Sequence, residues 1–263
     1  MAQGNFIKRL RQGLLLYILF MVALGTWAAR ERSTDWDNTL RVAVFPINGD
    51  GSETAHNYIA TLDASAYASI EQFFTKQIRV YGHMLDTPVR IYMRGVLDEQ
   101  PPTPPTHQAA LKVMYWSLKM RFWAWRMNRR DERAIRPDIK IFVRYFDPLN
   151  NARLAHSLGL QKGLLGVVNA YASRRLRGRN HVVIAHEMMH TLGATDKYDA
   201  QTTLPLHPHG YAAPAATPLH PQTRAEIMGG RIPLSATEAQ IPSSLKYVVV
   251  GEATAQEIRW IRD

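Results

Sequence analysis

The sequence predicts an α+β fold, α/β-like in the order of its elements, and three observations predict it. Two runs rich in β-formers, residues 40–47 and 88–94, bracket a stretch with apolar residues at helical spacing, and strand, helix, strand implies a parallel pair with a right-handed crossover. Residues 154–160 and 164–172, separated by Gln161, Lys162 and Gly163, read as a hairpin. Residues 181–192 are apolar on most sides of a helix, which places that helix centrally and buried.

A membrane-spanning helix is expected ahead of this domain. Between Arg11 and Arg30 no residue is charged, and residues 14–29 are nearly all apolar, long enough for a span and longer than a typical signal-peptide core. Lys8, Arg9 and Arg11 precede it, so the positive-inside rule puts residues 1–12 in the cytoplasm. Residues 13–29 are then a single-pass signal-anchor in the inner (cytoplasmic) membrane, 30–39 a polar linker, and 40–263 one extracytoplasmic, periplasm-facing domain. A signal peptide cleaved near Thr26 and Ala28 is the competing reading, and it exports the remainder equally.

At 263 residues the chain can bury one sizeable core with appendages. The absence of cysteine excludes a thiolate metal site, a cysteine nucleophile and any disulfide. The formal net charge of +10 admits nucleic acid or an anionic membrane as partner. Lys8, Arg9, Arg11, Arg30 and Arg32 flank the apolar run against one acidic residue, Glu31. Much of the excess therefore belongs to the membrane, and no nucleic-acid partner is expected.

Taken in order, residues 40–47 form the first strand. Leu62, Ala66, Ile70, Phe73, Phe74 and Ile78 set a helix over 62–81, and 88–94 form the second strand. The proline run 101–105 is a stiff spacer, after which Thr106 caps a helix over 107–130. That helix carries Leu111, Tyr115, Leu118, Phe122 and Trp125 on one face and Trp116, Met120, Trp123 and Met127 on another. It is either a well-packed helix with cations at its C-terminus, or an amphipathic helix resting on a membrane or over a cleft. Residues 138–146 form the third strand. Arg174, Arg175, Arg177 and Arg179 read as a basic loop, with Asn180 as N-cap of the helix that follows. The five prolines between 202 and 224 argue for an irregular wall. Residues 226–230 read as a tight turn with Met228 pointing inward, and 253–261 as a C-terminal helical region docked by Trp260.

The chemistry is carried by residues 186–196, which read H-E-x-x-H-x-x-G-x-x-D. Residues four apart share a helix face, so His186 and His190 can aim two imidazoles at one metal ion. Glu187, beside the first ligand, is placed to take a proton from a water molecule at the metal. On a continued helix, residue 196 would lie about 9 Å beyond His190 and be rotated by about 240°. Gly193 removes that obstacle, since glycine takes the left-handed conformation that ends a helix. Asp196 then returns as a third, oxygen ligand, with a fourth position left for water or substrate. His207, His209 and His220 are the alternative third ligands. A helix buried on most sides needs a reason for three polar side chains, and a cation supplies one.

The motif His186, Glu187, His190, Gly193, Asp196, followed by Ile227-Met228-Gly229, resembles the metzincin clan of zinc metallopeptidases. Aspartate in third place is similar to the snapalysin-type variant. The resemblance implies a twisted mixed sheet with one antiparallel edge strand, a central active-site helix and a Met-turn in which Met228 supports the metal without ligating it. It implies Zn2+ as cofactor and hydrolysis of peptide bonds, with Glu187 as general base and a peptide or protein as substrate, paired with the edge at 154–160. Tyr198 is a candidate to donate a hydrogen bond to the tetrahedral oxyanion. The rival from another class is a non-catalytic, membrane-anchored interaction protein with a structural metal site, which would need a fourth ligand such as His207 or His209.

Overall fold

The computed structural model describes residues 11–14, 16–17, 20–21, 24–25, 31, 33–105, 110–129, 136–161 and 164–261. The expected membrane span at 13–29 falls partly outside them, as do Thr106 and both ends of the expected helix 107–130. Among the described residues no helix is long and apolar enough to cross a membrane.

Strand β1 (Leu40–Asn48) has no polar face: Val42 and Val44 enter one core, while Ala43, Phe45 and Ile47 enter another. Burial on both sides is what a parallel sheet covered by helices demands. β1 pairs in parallel with β2 (Val89–Met93) and with β3 (Ile139–Phe146). β3 pairs in parallel with β5 (Leu165–Tyr171), and β5 carries antiparallel β4 (Leu158–Leu160) at the sheet edge. The order is β2-β1-β3-β5-β4. The expected mixed sheet with one antiparallel edge pair is present.

Helices α1 (Glu53–Ala60), α2 (Ala68–Val80) and α4 (Arg177–Leu192) contribute Ile59, Phe74 and Met188 to one core, with Val42 and Ile141 of the sheet. Helix α3 (Ala110–Arg129) covers the opposite face, where Met120, Trp123 and Met127 meet Phe45 and Phe142. The crossover from β1 to β2 runs one way with helices on one face. The crossover from β2 to β3 runs the other way with α3 on the other face, as a constant crossover hand requires. The α3 side chains on the sheet are therefore Trp116, Met120, Trp123 and Met127, and the stripe from Leu111 to Trp125 faces outward.

Several boundaries differ from expectation for identifiable reasons. α1 was not anticipated; Ser52 caps it, its hydroxyl accepting from the Ala55 N–H at 3.1 Å. α2 begins at Ala68 rather than 62, because the Asp63 carboxylate accepts from the Ser65 N–H and hydroxyl (2.8 and 2.6 Å) and holds a local turn. Only three residues of the expected strand 154–160 pair. The Asn169 side-chain amide donates to the carbonyls of Ala155 and His156 (3.1 and 3.2 Å), replacing the ladder there. α4 starts at Arg177, so two of the four arginines expected in a loop are helical. Asn180 does not cap it. Its side chain accepts from the Tyr171 N–H at 3.0 Å and donates to the Tyr171 carbonyl at 2.8 Å, tying α4 to the end of β5.

After residue 193 the chain is mostly irregular. The pairs β6 (Ala225–Glu226) with β9 (Val248–Val249), and β7 (Ile232–Pro233) with β8 (Ala239–Gln240), are two residues long. The expected C-terminal helical region reduces to α5 (Glu252–Glu257), beyond which Arg259 takes a φ of 62°. Trp260 docks as expected, edge-on to Trp36 (5.6 Å) and Phe74 (6.2 Å). Trp36 lies in the expected linker, yet it is buried and donates to the Ile258 carbonyl at 2.8 Å.

His181, at the start of α4, is buried with its Nδ1 2.6 Å from the Ser69 hydroxyl. Burial, then the charge of Arg177, lowers its pKa from 6.5 to about 4. The unfolded chain therefore binds this proton first, and stability present at neutral pH is lost as pH falls from 6.5 toward 4. Urea unfolding in the presence of a chelator is expected to show a slope of up to about 1.4 kcal/mol per pH unit in that window. The slope should be shallower in His181→Gln, and an unchanged slope would refute the assignment.

Candidate metal centre

Helix α4 runs beneath β4 and β5 and ends where the sequence places its stop. Gly193 has φ 111° and ψ 1°, and its N–H donates to the His190 carbonyl at 3.1 Å, while the Ala194 N–H donates to Met189 at 3.1 Å. A side chain at this φ is strained, and a Cβ would also sit 2.6 Å from Gln161 Nε2. The turn brings Asp196 back over the helix. Its Oδ1 lies 3.2 Å from His186 Nε2 and 3.1 Å from His190 Nε2, and the two Nε2 atoms are 3.1 Å apart.

The outer ring nitrogens decide what these three atoms are. His186 Nδ1 is 2.9 Å from the Ile227 carbonyl and His190 Nδ1 is 2.8 Å from the Ala194 carbonyl. A carbonyl only accepts, so both Nδ1 atoms carry a proton, and whenever the rings are neutral both Nε2 atoms present lone pairs. Two imidazole lone pairs and a carboxylate oxygen thus converge. Tetrahedral zinc with bonds of about 2.0–2.1 Å separates its ligand atoms by about 3.3 Å, close to all three distances. Among the described residues, this is the one group of three or more possible donors within reach of a shared ion.

The local charges follow from this convergence. Burial raises the Asp196 pKa, but the pull of His186 and His190, which donate to its oxygen whenever an Nε2 carries a proton, outweighs burial and holds the carboxylate well below its ordinary range. Burial lowers the His190 pKa, and the hydrogen bond to Asp196 with the Glu187 charge reverses that into a net rise. Glu187 is buried, and burial pushes its pKa above the ordinary value against the opposing pull of the two imidazoles. Its carboxylate accepts from the Gly159 N–H of β4. That contact needs glycine: a Cβ at 159 would stand 2.5 Å from the Glu187 carbonyl and 2.6 Å from the His190 Cβ.

Tyr198 joins the cluster, its ring centroid 6.3 Å from that of His186. Burial, then the charge and hydrogen bond of Asp196, push its pKa up to about 12. Met228 is fully buried, one residue after the carbonyl that orients His186. The alternative ligands lie elsewhere: His207 Nε2 is 3.1 Å from the Pro214 carbonyl, His220 Nε2 is 3.1 Å from the Tyr211 hydroxyl, and His209 is exposed.

Two further carboxylates support the site. Glu226, fully buried, accepts from the N–H groups of Met228 (2.6 Å), Gly229 (2.8 Å) and Gly251 (3.0 Å), and from the Thr254 hydroxyl (2.8 Å). It shapes the turn that presents the Ile227 carbonyl to His186. Glu257 of α5 accepts from the Thr195 N–H and hydroxyl and from Lys197 Nζ (3.0, 2.6 and 2.7 Å), fixing both neighbours of Asp196. Glu257 meets its partners about 60 residues away, and Glu226 meets two of its four, Gly251 and Thr254, 25 and 28 residues away, so neither role is written in a local signature alone.

No protein-family model and no curated protein sequence matches this chain. A solved structure described as "Structure of a chaperone-substrate complex" aligns over 86 % of this chain and 36 % of its own, with a TM-score of 0.37 and 12 % identity. This chain thus spans about a third of that one, and likeness at that level carries no argument.

Proposed function

We propose that this chain is an exported zinc-dependent peptidase of the metzincin type, held at the inner membrane by residues 13–29. One observation carries the reading: His186 Nε2, His190 Nε2 and Asp196 Oδ1 form a triangle with edges of 3.1–3.2 Å, beside a buried carboxylate whose proton affinity is raised. Three lone-pair atoms at that spacing repel unless a proton or a metal cation lies between them. Zinc bound there supplies a Lewis acid that polarises the scissile carbonyl and makes water more acidic.

The chain's own residues do the rest. Glu187, aimed by the Gly159 N–H, accepts the proton of the attacking water and passes it to the leaving amine. The Ile227 and Ala194 carbonyls hold both imidazoles in the tautomer that leaves Nε2 free. Tyr198 donates its hydroxyl proton to Asp196, and turned away from that carboxylate the same proton is the candidate hydrogen bond to the oxyanion. β4 lies at the sheet edge directly above Glu187, and an extended peptide can add there as a further strand. Met228 packs beneath as the Met-turn residue.

The reading is tested by metal analysis of the purified chain together with cleavage of a peptide library. One zinc per chain is expected, with cleavage abolished by a chelator and restored by zinc. Stoichiometric zinc without cleavage of any peptide would instead favour a structural site in an interaction protein. That alternative needs a fourth protein ligand, which His207 or His209 could supply only by leaving its present place; His207→Ala or His209→Ala should then release the metal.

A further inference from the structure

Helix α3 presents an apolar stripe away from the sheet. Leu111, Met114, Tyr115, Leu118, Phe122 and Trp125 are each 50–75 % exposed. At about 100° per residue these six lie within one sector of the helix, opposite Trp116, Met120, Trp123 and Met127. Contiguous exposed apolar surface of this kind marks an interaction site. The buried side is anchored on Phe45 and Phe142, so α3 displays the stripe already folded and ordering it on binding costs nothing further.

Charge indicates what covers the stripe. Residues 110–129 contain five cations, Lys112, Lys119, Arg121, Arg126 and Arg129, and no carboxylate. On the helix, Lys112, Lys119 and Arg126 border the stripe on one side and Arg121 on the other, with Arg129 at its end. Arg126 is bonded to Glu99, and Arg129 lies 5.0 Å over the Trp125 ring, which packs 5.6 Å from Phe122. Apolar and aromatic side chains in the middle, flanked by long cations, suit a helix lying in a lipid interface with its lysines and arginines reaching the headgroups. A second copy of this chain would set two wholly cationic helices against each other. The apolar run at 12–29 offers no anion to the flanking cations and is itself preceded by Lys8, Arg9 and Arg11.

We infer that α3 is a membrane-docking element, which seats its Leu111–Trp125 stripe in the surface of an anionic bilayer. This inference does not depend on the metal centre. The chain has six tryptophans, so subtracting the emission of Trp125→Phe from wild type isolates the signal of residue 125. The full chain is reconstituted in vesicles of phosphatidylglycerol and phosphatidylcholine that carry a brominated phosphatidylcholine quencher.

Quenching of that difference signal by roughly twofold or more is expected, weakened by salt and in vesicles lacking phosphatidylglycerol. It should also fall in Lys112→Gln/Lys119→Gln/Arg121→Gln, whose side chains are not in the core, with circular dichroism confirming the fold. Absence of quenching in anionic vesicles would overturn the inference. So would equal quenching with and without phosphatidylglycerol, or a dimer in which cross-links place Phe122 against its counterpart.

Discussion

Glu187→Gln is expected to retain one zinc per chain and to lose about 10³-fold in turnover, within the 10²–10⁴-fold range of a positioned general base. The substitution preserves shape and leaves an oxygen to accept the Gly159 N–H, so the arrangement of β4 over α4 should survive. The ligand triangle does not include residue 187. What is lost is proton acceptance alone, equivalent to about 4 kcal/mol in the barrier. Steady-state cleavage of a selected peptide, with zinc measured on the same samples, checks it. Unchanged turnover would remove Glu187 from the mechanism, and lost zinc would mean that it acts through the metal site.

Glu226→Ala should be the most damaging change outside the ligands. It leaves the N–H groups of Met228, Gly229 and Gly251 and the Thr254 hydroxyl without their acceptor inside the protein. At about 1–3 kcal/mol for each unsatisfied buried group, partly relieved by water, a loss of about 4 kcal/mol follows. That lowers the melting temperature by about 10 °C for a chain of this size. Since the same turn presents the Ile227 carbonyl to His186, zinc affinity should also fall by about 10–100-fold. Calorimetry and competition with a chromophoric chelator give the two readouts. A melting temperature within about 1 °C of wild type would show that the turn stands without this carboxylate.

The centre was legible in the sequence where its geometry is local. His186, Glu187, His190, Gly193 and Asp196 lie within one helix and the turn that ends it, and the helical repeat with one left-handed glycine nearly determines their positions. Glu257 and Gly159 were not legible, because each acts on residues that only the folded chain brings near, and the turn at 226–230 was read without the reach of Glu226 to Gly251 and Thr254. The sheet was readable from local pattern too: β1 carries an unbroken apolar run over residues 42–47 that burial on two sides explains, and β3 is rich in β-formers though Lys140 and Arg144 interrupt it. The α3 helix shows the limit. Its two apolar faces have the same spacing, and nothing in residues 110–129 alone says which one meets Phe142. Likewise Asn180 looks like a cap until Tyr171 offers it a peptide group to mimic.

Glu257 holds both neighbours of Asp196 from a position 62 residues downstream of Thr195. A ribosome therefore delivers both histidines and the aspartate well before the carboxylate that steadies the third ligand. During synthesis the helix can form and the glycine can turn the chain, but the bonds that fix Thr195 and Lys197 on either side of Asp196 form only once Glu257 has folded back. The His186–His190–Asp196 triangle is thus steadied late in assembly, after most of the domain has been made.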